Sequence, residues 1–181
     1  MSLKKTIKRI YLKEQFKPSW LGLFINPFYF SRKSLYDNIS LLIGNVHGKV
    51  LDIGCGNKPY RHMIVCDDYI GLEVDTPQNR LSKSADVYYD GESLPFETHT
   101  FDSIISTQVL EHVFEPEIFL EEAHKVLKDD GFLLLTVPLF WPEHEKPYDY
   151  GRYTSMAIKY VLEKHNFELI NVKKLPQTIQ Q

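Results

Sequence analysis

Asp52, Gly54 and Gly56 fall within "VLDIGCGNKPY" (Val50 to Tyr60), where a branched apolar run ends in an acid and two glycines separated by one cysteine. Glycines just past a strand let backbone approach a ligand that a Cβ would exclude, and the candidate ligands are a phosphate, a dinucleotide or a nucleoside. A dinucleotide fingerprint needs a third glycine at position 59, which here is Pro59. No Gly-Lys-Ser/Thr follows, so the loop is not of the triphosphate-cradling type. Glu73, nineteen residues after Gly54, ends a second apolar run in "YIGLEVD". An acid at that distance can accept hydrogen bonds from both ribose hydroxyls of a nucleoside lying across the strand ends.

A second set of reactive residue types lies further on. Glu111 and His112 stand in "LEHVFEP", and His144, Glu145, Asp149, Arg152 and Tyr153 crowd into "PEHEKPYDYGRYT" (Pro142 to Thr154). A histidine or carboxylate beside a reacting hydroxyl can take its proton, and loops at the ligand-bearing end of a sheet are where specificity is built. The bland alternatives are a surface histidine at a helix entry and a loop held by internal salt bridges. The two cysteines, Cys55 and Cys66, form no Cys-x-x-Cys pair and no metal cluster, and Cys55 has no partnered base, so no metal and no thiol nucleophile are expected.

These residues need a scaffold, and 181 residues with 43% hydrophobic content supply one sizeable core. From Lys49 onward short apolar runs alternate with helical patterns, which predicts βαβ units around a mostly parallel sheet covered on both faces. Strands are expected near 49–53, 69–74, 86–89, 101–106, 131–137 and 167–173. A helix after Glu115 has Pro116 at its first position, Phe119, Leu120, Ala123 and Leu127 at helical spacing, and Gly131 just past its end. Thr154 is the expected cap of another helix reaching His165, and residues 34–47 read as a helix with Leu35, Ile39, Leu42 and Ile43 on one face.

Charge divides the chain. Residues 1–33 hold eight Lys/Arg against Glu14 alone, a charge of +7, whereas the remainder has 13 basic and 23 acidic residues, a charge of −10. Nucleic-acid binding by the body is therefore disfavoured. The first 33 residues mix lysines with Trp20, Leu21, Leu23, Phe24, Ile25, Phe28, Tyr29 and Phe30, a composition that fits an anionic membrane surface, a lid or a partner-binding arm. Two domains are expected: a basic aromatic arm, 1–33, and a ligand-binding domain, 34–181. With no signal-peptide pattern and no apolar run near the ~20 residues a bilayer requires, the expected location is cytoplasmic, with peripheral membrane contact through the arm as an option.

Four blocks in order resemble the class I S-adenosylmethionine-dependent methyltransferases: "VLDIGCG", "GLEVD", "DGESLPFETHTFDSIIS" and "LEHVFEPEIFLEEAHKVLKDDGFLLLTVP". The resemblance implies a three-layer Rossmann-like sandwich and S-adenosyl-L-methionine as cofactor. It implies that Gly54 and Gly56 let backbone pass the methionine portion while Asp52 helps hold the turn and a nearby helix start favours the cofactor carboxylate. Glu73 would bind the ribose, with Asp75, two residues on, as a weaker second candidate. Asp90 would accept from the adenine amino group with the Gly91 backbone nearby, and Ser106 and Thr107 would border the methionine amine. Leu94 or Phe96 would touch adenine, or simply belong to the core.

Chemistry would then fall to His112, Glu111 and His144 near the transferred methyl. The loop from Pro142 resembles methyltransferases found with cell-surface polysaccharide biosynthesis, which implies a small hydroxylated acceptor such as a sugar. Family members usually add a seventh, antiparallel strand, and with only "LPQTIQQ" after Lys174 that strand is expected to be absent or truncated. Two other readings stay open: a catalytically silent cofactor-binding module and, against Pro59, a nicotinamide-dependent oxidoreductase. The acceptor, the methylated atom and the oligomeric state are not legible.

Overall fold

The computed structural model describes residues 3–175. These divide into two compact units, Gly44–Val172 and one formed by residues 3–43 with 173–175. In the first forty-odd residues, α1 (Leu3–Phe16), α2 (Gly22–Ile25) and α3 (Tyr29–Leu42) follow one another. The helix expected over 34–47 therefore begins at Tyr29 and ends at Leu42, followed by a 3-10 turn over Ile43–Asn45.

The second unit contains β1 (Lys49–Ile53), β2 (Asp68–Val74), α4 (Pro77–Ser82), β3 (Val87–Tyr89), β4 (Phe101–Thr107), α5 (Pro116–Val126), β5 (Leu127–Thr136) and α6 (Ser155–Lys164). The five strands form one parallel sheet in the order β3-β2-β1-β4-β5. This is the α/β, Rossmann-like arrangement that the sequence predicts. β1 is central, with Leu51 beside Ile70 on one side and Ile104 on the other, and its Val50, Leu51 and Ile53 are fully buried. Near-continuous apolar runs such as this are what a strand covered on both faces requires. The chain leaves β1 toward β2 and later returns to β4 on the other side, so the strand order reverses at the β1–β4 boundary. In open sheets of this kind, ligands bind at the carboxyl ends of the strands beside that reversal.

Helix α5 starts with Pro116, whose missing N–H is lost at no cost there, and buries Phe119, Leu120, Ala123 and Val126. Those side chains join Leu51, Ile53, Leu72, Phe101 and Ile104 in one core cluster with Ile158 and Leu162 of α6. Each fully buried large apolar side chain contributes roughly 1.5–3 kcal/mol. Leu94 and Phe96 pack in this cluster, with the Phe96 ring edge-on to Phe101 at 4.9 Å. Helix α6 is capped as predicted: the Thr154 hydroxyl accepts the Ala157 N–H at 3.1 Å.

Three expectations are corrected. Gly131 does not follow a helix end but lies inside β5, which starts at Leu127. The ladder jumps from Phe101–Leu127 to Ser103–Phe132, so residues 128–131 are a bulge. A Cβ on Gly131 would come within 2.8 Å of the Lys128 carbonyl, and this crowding explains why glycine stands there. Between β1 and β2 there is no long helix, only a 3-10 turn at Arg61–Met63, so the helix start predicted to favour a cofactor carboxylate is not formed. Residues 167–172 form no strand. Phe167 and Leu169 alternate inward against the core and Glu168 and Ile170 outward, but no neighbour among the described residues supplies a hydrogen-bonding ladder. The segment read for a seventh strand lies, from Pro176 on, outside the described residues.

Candidate active site

The glycine turn after β1 is held by β2. The N–H groups of Gly54 and Cys55 both donate to the Leu72 carbonyl, at 2.9 and 3.1 Å, and the Gly56 N–H donates to Glu73 Oε2 at 3.0 Å. Gly54 and Gly56 have φ of +70° and +53°, the left-handed region that suits glycine. Their surroundings differ. A Cβ at Gly54 would lie 2.4 Å from the Val109 side chain, whereas a Cβ at Gly56 would meet nothing within 4 Å. Gly54 is thus required by packing, and Gly56 opens onto free space in which a ligand can lie against the backbone.

Glu73 is buried at the end of β2, and its other oxygen, Oε1, faces Asn79 Nδ2 at 3.5 Å. The same amide donates to the Val74 carbonyl at 2.9 Å, and its residue sits on α4, which Thr76 caps by accepting the Asn79 N–H. Asp75 points elsewhere: Arg80 grips both of its oxygens at 2.5 and 2.7 Å, and the pair is exposed. That leaves Glu73 as the acid facing the turn.

Asp52 does not hold the turn by bonding to its backbone. Its carboxylate accepts the hydroxyl of Tyr69 on the adjacent strand. Burial pushes the Asp52 carboxyl up to about 7; the Tyr69 hydrogen bond opposes this, the Glu73 charge adds to it and Lys58 opposes it. Beside it, burial, Asp52 and Glu73 push the Cys55 thiol up to about 12, so it is protonated at neutral pH and unsuited to nucleophilic attack.

Asp90 and Gly91 follow β3. Asp90 Oδ1 accepts the N–H groups of Glu92 and Ser93 at 2.9 and 3.0 Å, which orders the turn and holds its carboxyl below the usual range, and Gly91 has φ of +92°. At the end of β4, Ser106 pairs with Ile53 across the ladder and Thr107 with Thr136. The Ser106 hydroxyl is fully buried and has no hydrogen-bond partner. Such an orphaned group is rare and stands where an amine or other polar ligand atom would satisfy it.

Just beyond β4, a 3-10 turn over Leu110–His112 carries Glu111 and His112. Glu111 is completely buried and neither of its carboxylate oxygens has a hydrogen-bond partner. Burial raises its pKa to about 7, against the lowering effects of its own backbone, His112 and Arg152. His112 Nε2 stands 4.0 Å from Glu111 Oε1, and its Nδ1 meets the Tyr148 carbonyl at 2.6 Å. That carbonyl requires a proton on Nδ1, which makes Nε2 of the neutral ring an acceptor.

The loop from Pro142 folds over this turn. The N–H groups of Tyr150 and Gly151 donate to the Glu111 carbonyl at 2.7 and 3.1 Å, and the Tyr153 hydroxyl donates to the Leu110 carbonyl at 3.4 Å. His144 is brought to His112, ring centroids 4.7 Å apart and nearly perpendicular. Its Nδ1 lies 3.3 Å from Asp149 Oδ2 without hydrogen-bond alignment, and its N–H donates to the same carboxylate at 2.8 Å. Arg152 binds Asp149 through two nitrogens at 2.6 and 2.8 Å and spends further donors on the Trp141 and Gly151 carbonyls. This pairing holds the Asp149 carboxyl far below its usual range.

Glu111, His112 and His144 are therefore one cluster, each offering an atom within 4.8 Å of the others, and Glu145 stands outside it, exposed. The cluster can accept a proton; a carboxylate with two imidazoles is also a donor set that could hold a divalent cation. Sequence reasoning missed Tyr69, Asn79 and the Tyr148 carbonyl. None of them carries a motif, because each acts through a neighbouring strand, helix or loop that only the folded chain supplies.

Comparison with known proteins agrees with this geometry. Residues 51–135 match the model of the methyltransferase domain family. An uncharacterised protein of Methanocaldococcus jannaschii is 31% identical over 144 residues, covering 74% of this chain and 61% of its own length. A human mitochondrial arginine-hydroxylase is 33% identical over 46% of the chain, and the bovine mitochondrial ubiquinone biosynthesis O-methyltransferase 30% identical over 49%; these matches cover 27% and 28% of their lengths. The chain thus spans less than two thirds of each of these relatives. A SAM-dependent methyltransferase from Aquifex aeolicus superposes with a TM-score of 0.58 at 22% identity, over 88% of this chain and 93% of that one, and shares its fold. The matched family and the shared fold imply S-adenosylmethionine as the cofactor, and the open face of Gly56 with the orphaned Ser106 hydroxyl fits it. Residues 51–135 thus resemble a methyltransferase domain, on a fold shared with a SAM-dependent methyltransferase.

Proposed function

We propose that the protein transfers the methyl group of S-adenosylmethionine to a hydroxyl of a small acceptor, a sugar or saccharide precursor. The observation that carries this reading is the Glu111 carboxylate, fully buried and unpartnered, with His112 and His144 beside it at the carboxyl end of β4. The bound cofactor supplies an electrophilic methyl on a sulfonium, so the protein has to align an acceptor, exclude water and receive a proton. Glu73 and the Gly56 backbone would hold the ribose side, Asp90 the adenine side, and Ser106 with Thr107 the amino-acid side.

His112 Nε2 receives the acceptor's proton, with Nδ1 fixed on the Tyr148 carbonyl, and Glu111 stabilises the imidazolium that forms. A carboxyl near 7 suits this task at neutral pH, since it is ionised for a large share of the time. The acceptor is read as uncharged because both cations of the covering loop are committed, Arg152 to Asp149 and backbone carbonyls and Lys146 to Glu143. The bovine O-methyltransferase also supports a hydroxyl acceptor, although it matches only half of the chain.

The test is a panel of sugars, nucleotide sugars, amines and thiols incubated with methyl-labelled cofactor. Label on a sugar hydroxyl supports the reading. Label on an amine or thiol, or tight cofactor binding with no transfer to any hydroxyl, overturns it.

A further inference from the structure

The unit formed by the first forty-three residues displays apolar side chains where a folded protein normally hides them. Trp20 is 69% and Phe24 80% exposed, their rings edge-on at 6.4 Å, with Leu23, Phe28 and Phe30 exposed in the same stretch. On α1, Ile7, Ile10 and Tyr11 are exposed at the i, i+3, i+4 spacing that places them on one flank.

The display is built rather than loose. Glu14, almost fully buried, accepts the N–H and the hydroxyl of Ser19, both at 2.7 Å, and its carbonyl accepts the amide of buried Asn26 at 3.3 Å. Asn26 Oδ1 in turn accepts the Phe28 N–H at 3.0 Å. Gly22 sits inside this clamp, where a Cβ would lie 2.8 Å from the Tyr29 ring and 2.9 Å from Glu14 Oε2. Two buried polar residues are thus spent on fixing a turn whose outward product is a row of aromatic and aliphatic side chains.

Charge says what that row faces. Residues 1–33 carry +7. Lys33 is paired with Asp37 at 2.6 Å and Arg32 lies over the Phe16 ring, but Arg9, Lys13 and Lys17 are exposed and take part in no ion pair among the described residues. Exposed aromatics beside unpaired cations match the interface of an anionic bilayer, where rings enter the headgroup boundary and lysines meet lipid phosphates. A symmetric contact with a second copy would instead bring +7 against +7. No helix among the described residues is long and apolar enough to cross a membrane, so contact would be at the surface.

We infer that α1 with the Trp20–Phe30 segment is a docking surface for an anionic lipid bilayer. The full chain should co-sediment with vesicles of equal parts phosphatidylcholine and phosphatidylglycerol, weakly with phosphatidylcholine alone, and less as ionic strength rises from about 0.1 to about 1 M. The double variants Trp20→Ala/Phe24→Ala and Lys13→Glu/Lys17→Glu should each lower partitioning about 10-fold or more, with circular dichroism and S-adenosylhomocysteine affinity unchanged. Equal binding to neutral vesicles, no binding to either, or variants that bind like the parent overturns the inference. A dimer in light scattering that Trp20→Ala/Phe24→Ala dissociates, without any vesicle binding, assigns the face to a second copy instead.

Discussion

Glu73 Oε2 accepts the Gly56 N–H at 3.0 Å, so the acid at the end of β2 and the second glycine after β1 are one unit, joined across the sheet before any ligand arrives. The carboxylate is oriented in advance, and its second oxygen is shared only with a long contact to Asn79. If Glu73 holds the ribose as proposed, replacing it by alanine should weaken S-adenosylhomocysteine binding by about 1.5–3 kcal/mol through the loss of two charge-assisted hydrogen bonds. Calorimetry reads this directly. An unchanged dissociation constant would move the ribose elsewhere.

Asp52 has a carboxyl pushed up to about 7 from an ordinary 3.8, which corresponds to roughly 4 kcal/mol between its two protonation forms. The folded chain binds a proton there that the unfolded chain has released, so this group's contribution to stability declines as pH rises from about 4 to about 7. Asp52→Asn keeps an acceptor for the Tyr69 hydroxyl and removes the charge. Its melting temperature should gain on the parent progressively through that window and level off above it. A difference that does not change with pH would show that Asp52 is not titrating there.

His112→Ala should lower turnover by about 10²-fold or more while leaving cofactor affinity nearly intact. Turnover should rise as pH passes about 7 in the parent, and Glu111→Gln should flatten that rise, because the titrating carboxyl is gone. A collapse of cofactor affinity in either variant would mark the residue as structural. Activity insensitive to chelators and to added zinc is expected for a proton-accepting cluster; loss on chelation would make the cluster a metal centre.

Arg152→Ala leaves the Asp149 carboxylate, whose side chain is only 4% exposed, without its ion partner. The loss should be about 1–3 kcal/mol in urea unfolding. Since pairing lowers the Asp149 pKa, its stabilisation is present above the ordinary carboxylate range and is lost as pH falls below that range through the depressed folded value, so parent and variant should converge only in strong acid. In turnover, the variant should raise the acceptor KM more than it lowers kcat, because the loop carrying His144 loosens while Glu111 stays buried.

The glycine turn and the acid facing it were legible because their signals are local. Two glycines in left-handed backbone, a buried strand and an acid at a strand end leave marks at fixed spacing, and β1 falls at the predicted bounds. Helix α6 was equally plain from Thr154. The partners of those residues were not, since Tyr69 reaches Asp52 across a ladder and Arg152 reaches Asp149 inside a loop with no repeating period. Residues 167–172 show the converse failure. Their alternation is genuine, yet a strand is a relation between two segments, and the pattern of one does not reveal the absence of the other. At 128–131, "KDDG" reads as a turn after a helix and acts as a bulge within a strand, because both uses need the same charged and glycine residues.

Strand β5 is ten residues long and, among the described residues, hydrogen-bonds to β4 alone. The opposite border of the sheet, β3, is only three residues and offers little to join. β5 is different: past its charged start at Lys128, Asp129 and Asp130 it continues as "FLLLT", an uncharged run with one row of backbone donors and acceptors turned outward. Such a border templates the addition of another strand, whether from elsewhere in the same polypeptide or from a neighbour. Concentrated solutions of this chain should therefore self-associate along β5 before they unfold.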